Sequence, residues 1–491
     1  ESPVDRFDTL VLDAGLNLCW HYMPNDTQRR LTIFVRDQYV SDLQQALGGA
    51  APHGRFVHLY LNGLYWGIYN LHERPDDSFS ASYLGGEKSE YDVLRHNASR
   101  VVAGSNAAYN QMFALARSGL SQPSAYEAVQ QHLDLPSLID YMLVNFWVGN
   151  SDWAHQNWYA SRRRASEGRW RYFSWDAEHV LKSANENRIE LNNSGGPTER
   201  FQWLRANPEF LIRFADRAHR HCFNGGLFST DPARPIRSRT DPGGNVPASL
   251  LLERIAEIDL ATVCDSARWG DVGISDVNRT DNPLTRNVEF FNELDALLGL
   301  KNTAGYTWNF FPTRTVTVLG QLRAAGLYPA VTAPSFNQHG GAVGAGFLLT
   351  MTAPAGTIYY TTNGVDPRLP GGGVSPSAFT ALNNIPVTLA QNARIVARNR
   401  NTSHQNLTGP RNPPISSPWS GRTEATFVVA APPLVVTEIM YNPAAGSGAA
   451  DANDFEFLEL KNLGTAPLSL PGFRFTRGIK FLRSEEPTSE L

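Results

Sequence analysis

Two short polar segments carry side chains that could bind a metal ion and orient a hydroxyl group. Asp152 and Asn157 stand five positions apart after an apolar run, and Asp176 follows the second of two predicted strands. Magnesium prefers oxygen ligands in octahedral geometry. One carboxylate and one amide oxygen could hold the ion against phosphate groups while a second carboxylate orients the attacking hydroxyl. The chemistry that these residue types allow is metal-assisted phosphoryl transfer.

The same residue types also occur at the ends of ordinary helices and strands. Asp and Asn commonly cap a helix or close a turn there. A lone histidine near a helix end, such as His155, is usually structural. The arginines at 162–164 fit either an acidic substrate or a solvated hairpin turn, and residues 182–200 fit either a mobile loop beside the site or a plain surface loop. Spacing alone leaves these alternatives open.

The elements that must position these residues are a mixture of helices and hairpins. Apolar residues at a helical period predict a helix over residues 38–47, and a longer apolar helix is predicted over Leu135–Val148. Alternating residues around Asn-Gly at 62–63 predict a hairpin over residues 55–69. A second hairpin is predicted over residues 157–175, around a basic turn. The first 330 residues or so are therefore predicted to be α+β.

The character of the sequence changes after about residue 330 to short β-rich runs between Gly, Pro and Asn. This pattern predicts a β-sandwich. The predicted strands are residues 347–351, 357–361, 385–389 and 393–397, followed by 434–440 and 455–460.

Length and composition exclude several classes of protein. The chain has 491 residues, enough for roughly three domains. Its net charge is −4 without a basic stripe, which argues against a nucleic-acid partner. The longest apolar stretches, such as residues 427–436, fall short of the about 20 residues that span a bilayer. The cysteines at 19, 222 and 264 lack the spacing of a zinc site or a disulfide framework.

Several motifs in the first domain resemble the CotH kinase family of spore-coat and bacterial surface proteins. Residues 59–74 read Leu-Tyr-Leu-Asn-Gly-Leu-Tyr-Trp-Gly-Ile-Tyr-Asn-Leu-His-Glu-Arg. They are followed by Gly-Asn-Ser-Asp-Trp at 149–153 and Trp-Asp-Ala-Glu at 175–178. The resemblance covers about residues 5–225. It implies an atypical protein-kinase-like fold that phosphorylates Ser and Thr of surface proteins with ATP and Mg²⁺ or Mn²⁺.

The resemblance also implies roles for individual residues. Asp152 would be the catalytic aspartate, and Asn157 and Asp176 would bind metal, with Glu178 where the family often has a second Asp. Glu73 would lie beside the nucleotide. The family's phosphate-contacting lysine lies in an N-terminal segment that has no match here, and we expect that segment and any export signal to lie upstream. Lys88 and Lys182 fall within the resembling region but outside its motifs.

Two later segments resemble accessory modules. Residues 357–367 are similar to the signature of the chitobiase/β-hexosaminidase C-terminal domain, and residues 435–443 with 454–462 to the start of a lamin-tail domain. The expected domains are a kinase-like domain at 1–330, a β-sandwich at 331–431 and a partial lamin-tail domain at 432–482. The last nine residues, 483–491, resemble a sequencing adapter read as protein. The acids at 451, 454, 456 and 459 fit either a calcium site or an acidic loop beside an edge strand.

These features favour an extracellular or cell-surface Ser/Thr kinase. Its β modules would attach it to a surface or a polysaccharide. The alternative is a non-catalytic adhesion or scaffold protein that retains a kinase-like fold, because fold likeness does not decide function. A carbohydrate-active enzyme is disfavoured, since the sequence shows no paired carboxylates in a recognisable glycosidase context.

Overall fold

The computed structural model describes residues 4, 7–22, 26–117, 119–271, 284–381, 385–404, 418–430, 433–440 and 457–468. The adapter-like residues 483–491 and the acidic residues 451, 454 and 456 lie outside these ranges. The chain divides into two compact units. The first unit extends to Val331 and includes Thr402–Gly421, and the second unit begins with Thr332–Asn401 and continues from Arg422.

Two antiparallel sheets form the β part of the first unit. The first has the strand order β1-β3-β2 and the second the order β5-β4-β6-β7. The strands are β1 (Leu10–Asp13), β2 (Gly54–Leu61), β3 (Leu64–Glu73), β4 (Tyr91–Arg95), β5 (Asn97–Ala103), β6 (Trp158–Arg163) and β7 (Arg171–Ser174).

Helices are the more frequent regular element of the first unit. They are α1 (Asp26–Arg30), α2 (Arg36–Ala46), α3 (Asp77–Leu84), α4 (Ala107–Arg117), α5 (Pro123–Gln130), α6 (Leu135–Val148), α7 (Pro197–Leu204), α8 (Pro208–Cys222), α9 (Val246–Ile258), α10 (Ala261–Trp269), α11 (Phe291–Leu297) and α12 (Phe310–Ala324). Short 3₁₀ turns lie at Lys88–Glu90 and Thr402–His404, and a π turn at Arg286–Phe290.

The two predicted hairpins and both predicted helices are confirmed. Asn62 and Gly63 have φ angles of 50° and 82°, as the turn between β2 and β3 requires. Helix α6 begins after Asp134, whose side chain accepts a hydrogen bond from the Ser137 amide, and ends at Gly149 with φ 66°. Nearly every side chain of α6 is buried. This helix therefore fixes the start of the polar segment that contains Asp152.

The second unit is built from short strands, as predicted. A five-stranded sheet has the order β13-β12-β15-β16-β9, and three two-stranded ladders pair β10 with β14, β11 with β8, and β17 with β18. The strands are β8 (Ser335–Phe336), β9 (Gly341–Ala342), β10 (Phe347–Leu349), β11 (Met351–Thr352), β12 (Thr357–Thr361), β13 (Phe379–Ala381), β14 (Val387–Leu389), β15 (Ala393–Arg400), β16 (Thr423–Val428), β17 (Leu434–Met440) and β18 (Phe457–Asn462).

Within the described ranges, no helix combines the length and the apolar character needed to cross a membrane.

A buried ion pair connects the start of α2 to the C-terminal helices of the first unit. The Arg36 guanidinium lies 2.5 Å from the Glu293 carboxylate, and both side chains are almost fully buried. Arg36 also donates to the carbonyl oxygen of Val180 at 2.6 Å. A buried charge without its partner is strongly unfavourable, so this pair restrains three distant segments at once.

Breaking the pair should therefore destabilise the protein strongly. We expect Glu293→Gln to lower the free energy of unfolding by about 3–5 kcal/mol, because Arg36 is left charged and buried. The double variant Arg36→Met/Glu293→Gln should lose less, and the exposed control Glu253→Gln should stay within about 0.5 kcal/mol. Urea unfolding measures all three. A Glu293→Gln variant as stable as the control would contradict this role.

A buried carboxyl group also supports the centre of β3. Asp265 of α10 accepts a hydrogen bond from the Ile68 amide at 3.0 Å. Burial raises the pKa of Asp265 to about 6. The folded protein therefore holds this proton more tightly than the unfolded chain does. Ionising Asp265 weakens the fold as the pH rises from about 4 to about 6.

We expect Asp265→Asn to remove that pH dependence. The amide oxygen can still accept from Ile68, but it carries no charge. The variant should be more stable than the wild type at pH 7, by up to about 3 kcal/mol, and closer to it at pH 4. Unfolding free energies measured across this pH range check the difference. Parallel profiles for the two proteins would contradict it.

Candidate functional site

The segment after α6 holds Asp152 and Asn157 together. The Asn157 amide nitrogen donates to the backbone carbonyl and to the carboxylate of Asp152, both at 3.1 Å. The Gln156 amide donates to the same carboxylate at 3.2 Å. Asn157 is buried and has a φ of 61°, a conformation that Asn tolerates better than most residues. These bonds orient the Asp152 carboxylate and use only the nitrogen of the Asn157 amide.

A neutral histidine fixes the backbone at Asn157. The Asn157 N–H donates to Nδ1 of His96 at 2.8 Å. Burial lowers the pKa of His96 to about 4, so its ring is uncharged near neutral pH and can accept this bond. The left-handed turn at Asn157 is therefore supported from β4 and β5, which flank His96.

Asp176 and Glu178 follow β7, and each affects the pKa of the other. Asp176 has a φ of 54°, so the chain changes direction directly after the strand. Partial burial raises the pKa of Asp176, and the charges of Asp13 and Asp152 raise it further. The pKa of Glu178 rises to about 9, first through burial and then through the charges of Asp176 and Asp37. The charge of Asp152 thus acts on Asp176 and that of Asp176 on Glu178, while Asn157 is hydrogen-bonded to Asp152.

The donor chemistry of this group fits a hard divalent cation. Carboxylate and amide oxygens are the ligands that Mg²⁺ and Mn²⁺ take in proteins. Burial, and then the charges of neighbouring carboxylates, raise the pKa values of Asp176 and Glu178, and a bound cation would oppose both effects. Asp152, Asn157, Asp176 and Glu178 thus supply suitable donor types, but the carboxylate oxygens of the three acids do not all lie within 4.8 Å of one another.

Two further acids and a histidine, which sequence reasoning missed, lie beside this group. A cavity of about 130 Å³ is lined by Asp13, Asp37, Asp176 and Glu178. Oxygens of Asp13 and Asp37 and a ring nitrogen of His72 lie within 4.8 Å of one another. Asp37 stands in the first turn of α2, where an acid is ordinary, and so gave no signal of its own.

Two basic side chains act on the carboxylates of the site. Arg95 lies 5.5 Å over the ring of Trp175 and lowers the pKa of Asp176 through its charge. Lys182 contacts Nδ1 of His179. Burial lowers the pKa of Lys182 to about 8, against the opposing charges of Glu178 and Asp152. Both cations are therefore available near the acids to offset the charge of a bound anion.

Other predicted candidates lie elsewhere or make ordinary contacts. Glu73 is buried at the end of β3, where it accepts from the His53 amide at 2.9 Å and from the Tyr83 hydroxyl at 2.8 Å. These contacts do not join it to the acidic group. His155 is exposed, 3.4 Å from Asp152. Lys88 forms an exposed ion pair with Asp8 at 2.5 Å.

Comparison with known proteins identifies one family. Residues 32–214 match the family model described as CotH kinase protein. The match spans well under half of the chain and includes Asp37, Glu73, His72 and all of Asp152, Asn157, Asp176 and Glu178. No curated protein matches the chain.

The Asn157 side chain offers a test of how the site is held. Asn157→Gly removes the two bonds to Asp152 but suits the left-handed backbone, so we expect a loss of about 1 kcal/mol in unfolding free energy. Asn157→Asp places a carboxylate beside that of Asp152 and should cost more than the Gly variant, because like charges repel. Urea unfolding in EDTA measures both. An Asp variant more stable than the Gly variant would contradict the geometry.

Proposed function

We propose that the first unit is an atypical kinase that transfers the γ-phosphate of ATP to Ser or Thr hydroxyls of proteins. The observation that supports this proposal is the hydrogen bond between Asn157 and Asp152, together with the charge effects of Asp152 on Asp176 and of Asp176 on Glu178, within the segment that matches the CotH kinase model. In this role Asp152 accepts the proton of the acceptor hydroxyl. Its hydrogen bonds from Gln156 and Asn157 keep the carboxylate in a fixed orientation for that task.

Asn157, Asp176 and Glu178 would hold Mg²⁺ or Mn²⁺. When bound, the ion would neutralise charge on the phosphates. Asp176 stands at the turn after β7, where its side chain is partly covered by neighbouring groups but still reaches solvent, so its carboxylate is accessible to a ligand. Glu178 is held by the Asn17 amide, which donates to it at 2.6 Å. The proposed metal ligands thus come from the segment after α6 and from the segment after β7.

The phosphate charge also requires cationic side chains. Arg95 and Lys182 are suited to this role. The charge of Arg95 acts on Asp176, and Lys182 interacts electrostatically with Glu178 and Asp152. Burial lowers the pKa of Lys182. The negative charge of a nearby anion would raise that pKa again and so favour the charged form of the side chain. Both residues are proposed as phosphate contacts.

The wider setting is also a proposal. The acceptors would be surface or coat proteins, and the protein would act outside the cell or at its surface. Residues 331–431 would form a chitobiase C-terminal-like β-sandwich and residues 432–482 part of a lamin-tail-like domain, both serving in attachment. The mixed short strands of the second unit support a β-rich accessory role.

Nucleotide binding can be tested by thermal unfolding of the full chain with and without millimolar Mg-ATP. A ligand at about 100 times its dissociation constant adds about 2.7 kcal/mol, so a rise of a few degrees is expected for the wild type. Asp176→Asn should abolish the rise, because it removes a metal ligand. Glu253→Gln removes an exposed charge of α9 and should leave the rise unchanged.

Transfer of labelled phosphate to casein, used as a generic acceptor, separates binding from catalysis. Asp152→Asn should keep the thermal shift but lose about a hundredfold or more in transfer, the usual contribution of a general base. A wild type that binds Mg-ATP without transferring phosphate would favour the non-catalytic scaffold. A thermal shift that survives Asp176→Asn would place the nucleotide elsewhere.

A further inference from the structure

One face of the first sheet gathers polar side chains next to the proposed phosphotransfer site. In the antiparallel pairing of β1 and β3, Asp13 lies opposite Asn70 and Val11 lies opposite His72. Side chains two residues apart on a strand share a face of the sheet. Asp13, Asn70 and His72 therefore project from the same face. No motif in the sequence links them.

The first turn of α2 packs on this face and adds a second carboxylate. The Asn70 amide donates to the Gln38 side-chain oxygen at 3.3 Å, which places the helix start over the sheet. Asp37 then contributes a carboxylate oxygen that lies within 4.8 Å of a carboxylate oxygen of Asp13 and of a ring nitrogen of His72. Donor atoms bound to one metal ion are separated by about 3–4 Å when each bond is about 2.1 Å long. The gap between the three groups is thus close to the size of an ion.

His72 is prepared as a ligand. Its Nδ1 lies 2.9 Å from the carbonyl oxygen of Glu73, and a carbonyl only accepts, so Nδ1 carries the proton. This leaves Nε2 with a free lone pair, and no hydrogen bond to Nε2 occurs among the described residues. The residue is 5% exposed, and the Trp175 ring packs against it at 5.4 Å. Metal-bound histidines are commonly held in this way by a bond from the other ring nitrogen.

A second buried atom on the same face also lacks a partner. Asn70 is 8% exposed and lines the cavity with Asp13 and Asp37. Its side-chain oxygen makes no hydrogen bond to any described residue. An unpaired buried oxygen carries a penalty of about 1–3 kcal/mol, which a bound cation would remove. Asn70 and His72 are thus two buried residues on one face of the sheet, and each has a side-chain atom that can still accept a hydrogen bond or bind a cation.

The local charge also calls for a cation. Burial raises the pKa of Asp37 to about 6 against the lowering effects of His72 and the Ala177 amide, and the charges of Asp13 and Asp176 add to the rise. The nearest turn of α2 supplies Arg36, but its guanidinium is bound to Glu293 and to the Val180 carbonyl. A cation bound between Asp13 and Asp37 would therefore stabilise their ionised forms.

We infer that Asp13, Asp37 and His72 form a binding site for a divalent first-row transition-metal ion, with the Asn70 side-chain oxygen as a further donor. Imidazole favours Mn²⁺, Fe²⁺ or Zn²⁺ over Mg²⁺, which takes almost only oxygen ligands. The site is separate from Asp152 and Asn157. It is adjacent to Asp176, because the Ala177 amide donates to Asp37 at 2.6 Å. It does not depend on the proposed kinase activity.

Mn²⁺ alone, without nucleotide, tests the site in the metal-stripped full chain. Calorimetry measures affinity, and pulsed electron paramagnetic resonance detects a nitrogen nucleus bound to the ion. Asp37→Asn keeps an oxygen to accept the Ala177 bond but removes the charge, so affinity should fall about tenfold or more. His72→Gln should abolish the nitrogen signal. His155→Gln, at an exposed histidine, is the matched control that should retain it.

The outcomes are distinct. A nitrogen signal in the wild type that disappears only in His72→Gln supports the site. Absence of that signal in the wild type, or its persistence in His72→Gln, overturns the inference. Loss of Mn²⁺ binding in Asp176→Asn but not in Asp37→Asn also overturns it, because the ion would then belong to the proposed phosphotransfer site. Far-UV circular dichroism confirms that each variant is folded before binding is measured.

Discussion

The buried contact of Arg36 with Glu293 and Val180 is the constraint on which the rest of the site depends. Arg36 begins α2 and immediately precedes Asp37, while Val180 follows Glu178 by two positions. A guanidinium removed from water must keep its partners. The same contact that buries Arg36 therefore holds Asp37 against the turn that carries Asp176. Glu293 lies outside the segment that matches the kinase family, so later helices of the unit support residues of the matched segment.

The consequence of this packing is a concentration of carboxyl groups. Asp37, Asp176 and Glu178 all have raised pKa values, with burial as the first cause. Groups with perturbed pKa values that share a cavity are common at functional sites. The Ala177 amide joins the two halves of the group by donating to Asp37. Whatever binds at Asp176 should therefore influence the face formed by Asp13 and His72, and the reverse.

The two polar segments and the sheet face differ in how they hold their donors. Asp152 and Asn157 are fixed by hydrogen bonds within their own loop and by His96. Asp13 and His72 are fixed instead by strand pairing, and Asp37 by helix packing. Loops adjust to a substrate more readily than paired strands. The loop that carries Asp152 and Asn157 is therefore better suited to the proposed substrates, which must enter and leave. The sheet face that carries Asp13 and His72 is better suited to the proposed metal ion, which stays bound.

The sequence by itself determined the elements whose signals are local. The apolar run of α6, the Asn-Gly turn between β2 and β3, and the short β-rich run of β12 each predicted the observed structure, because a helix, hairpin or strand depends on neighbouring residues. The roles of Asp152, Asn157, Asp176, Glu178 and Glu73 stay predictions. Only the tertiary structure decided which donors meet. His72 and Glu73 are adjacent in sequence, yet successive strand residues face opposite sides, so one lies by Asp13 and the other by Tyr83. Strand register and the packing of distant segments decide which donors lie close together, and neither can be read from the spacing of residues in the sequence.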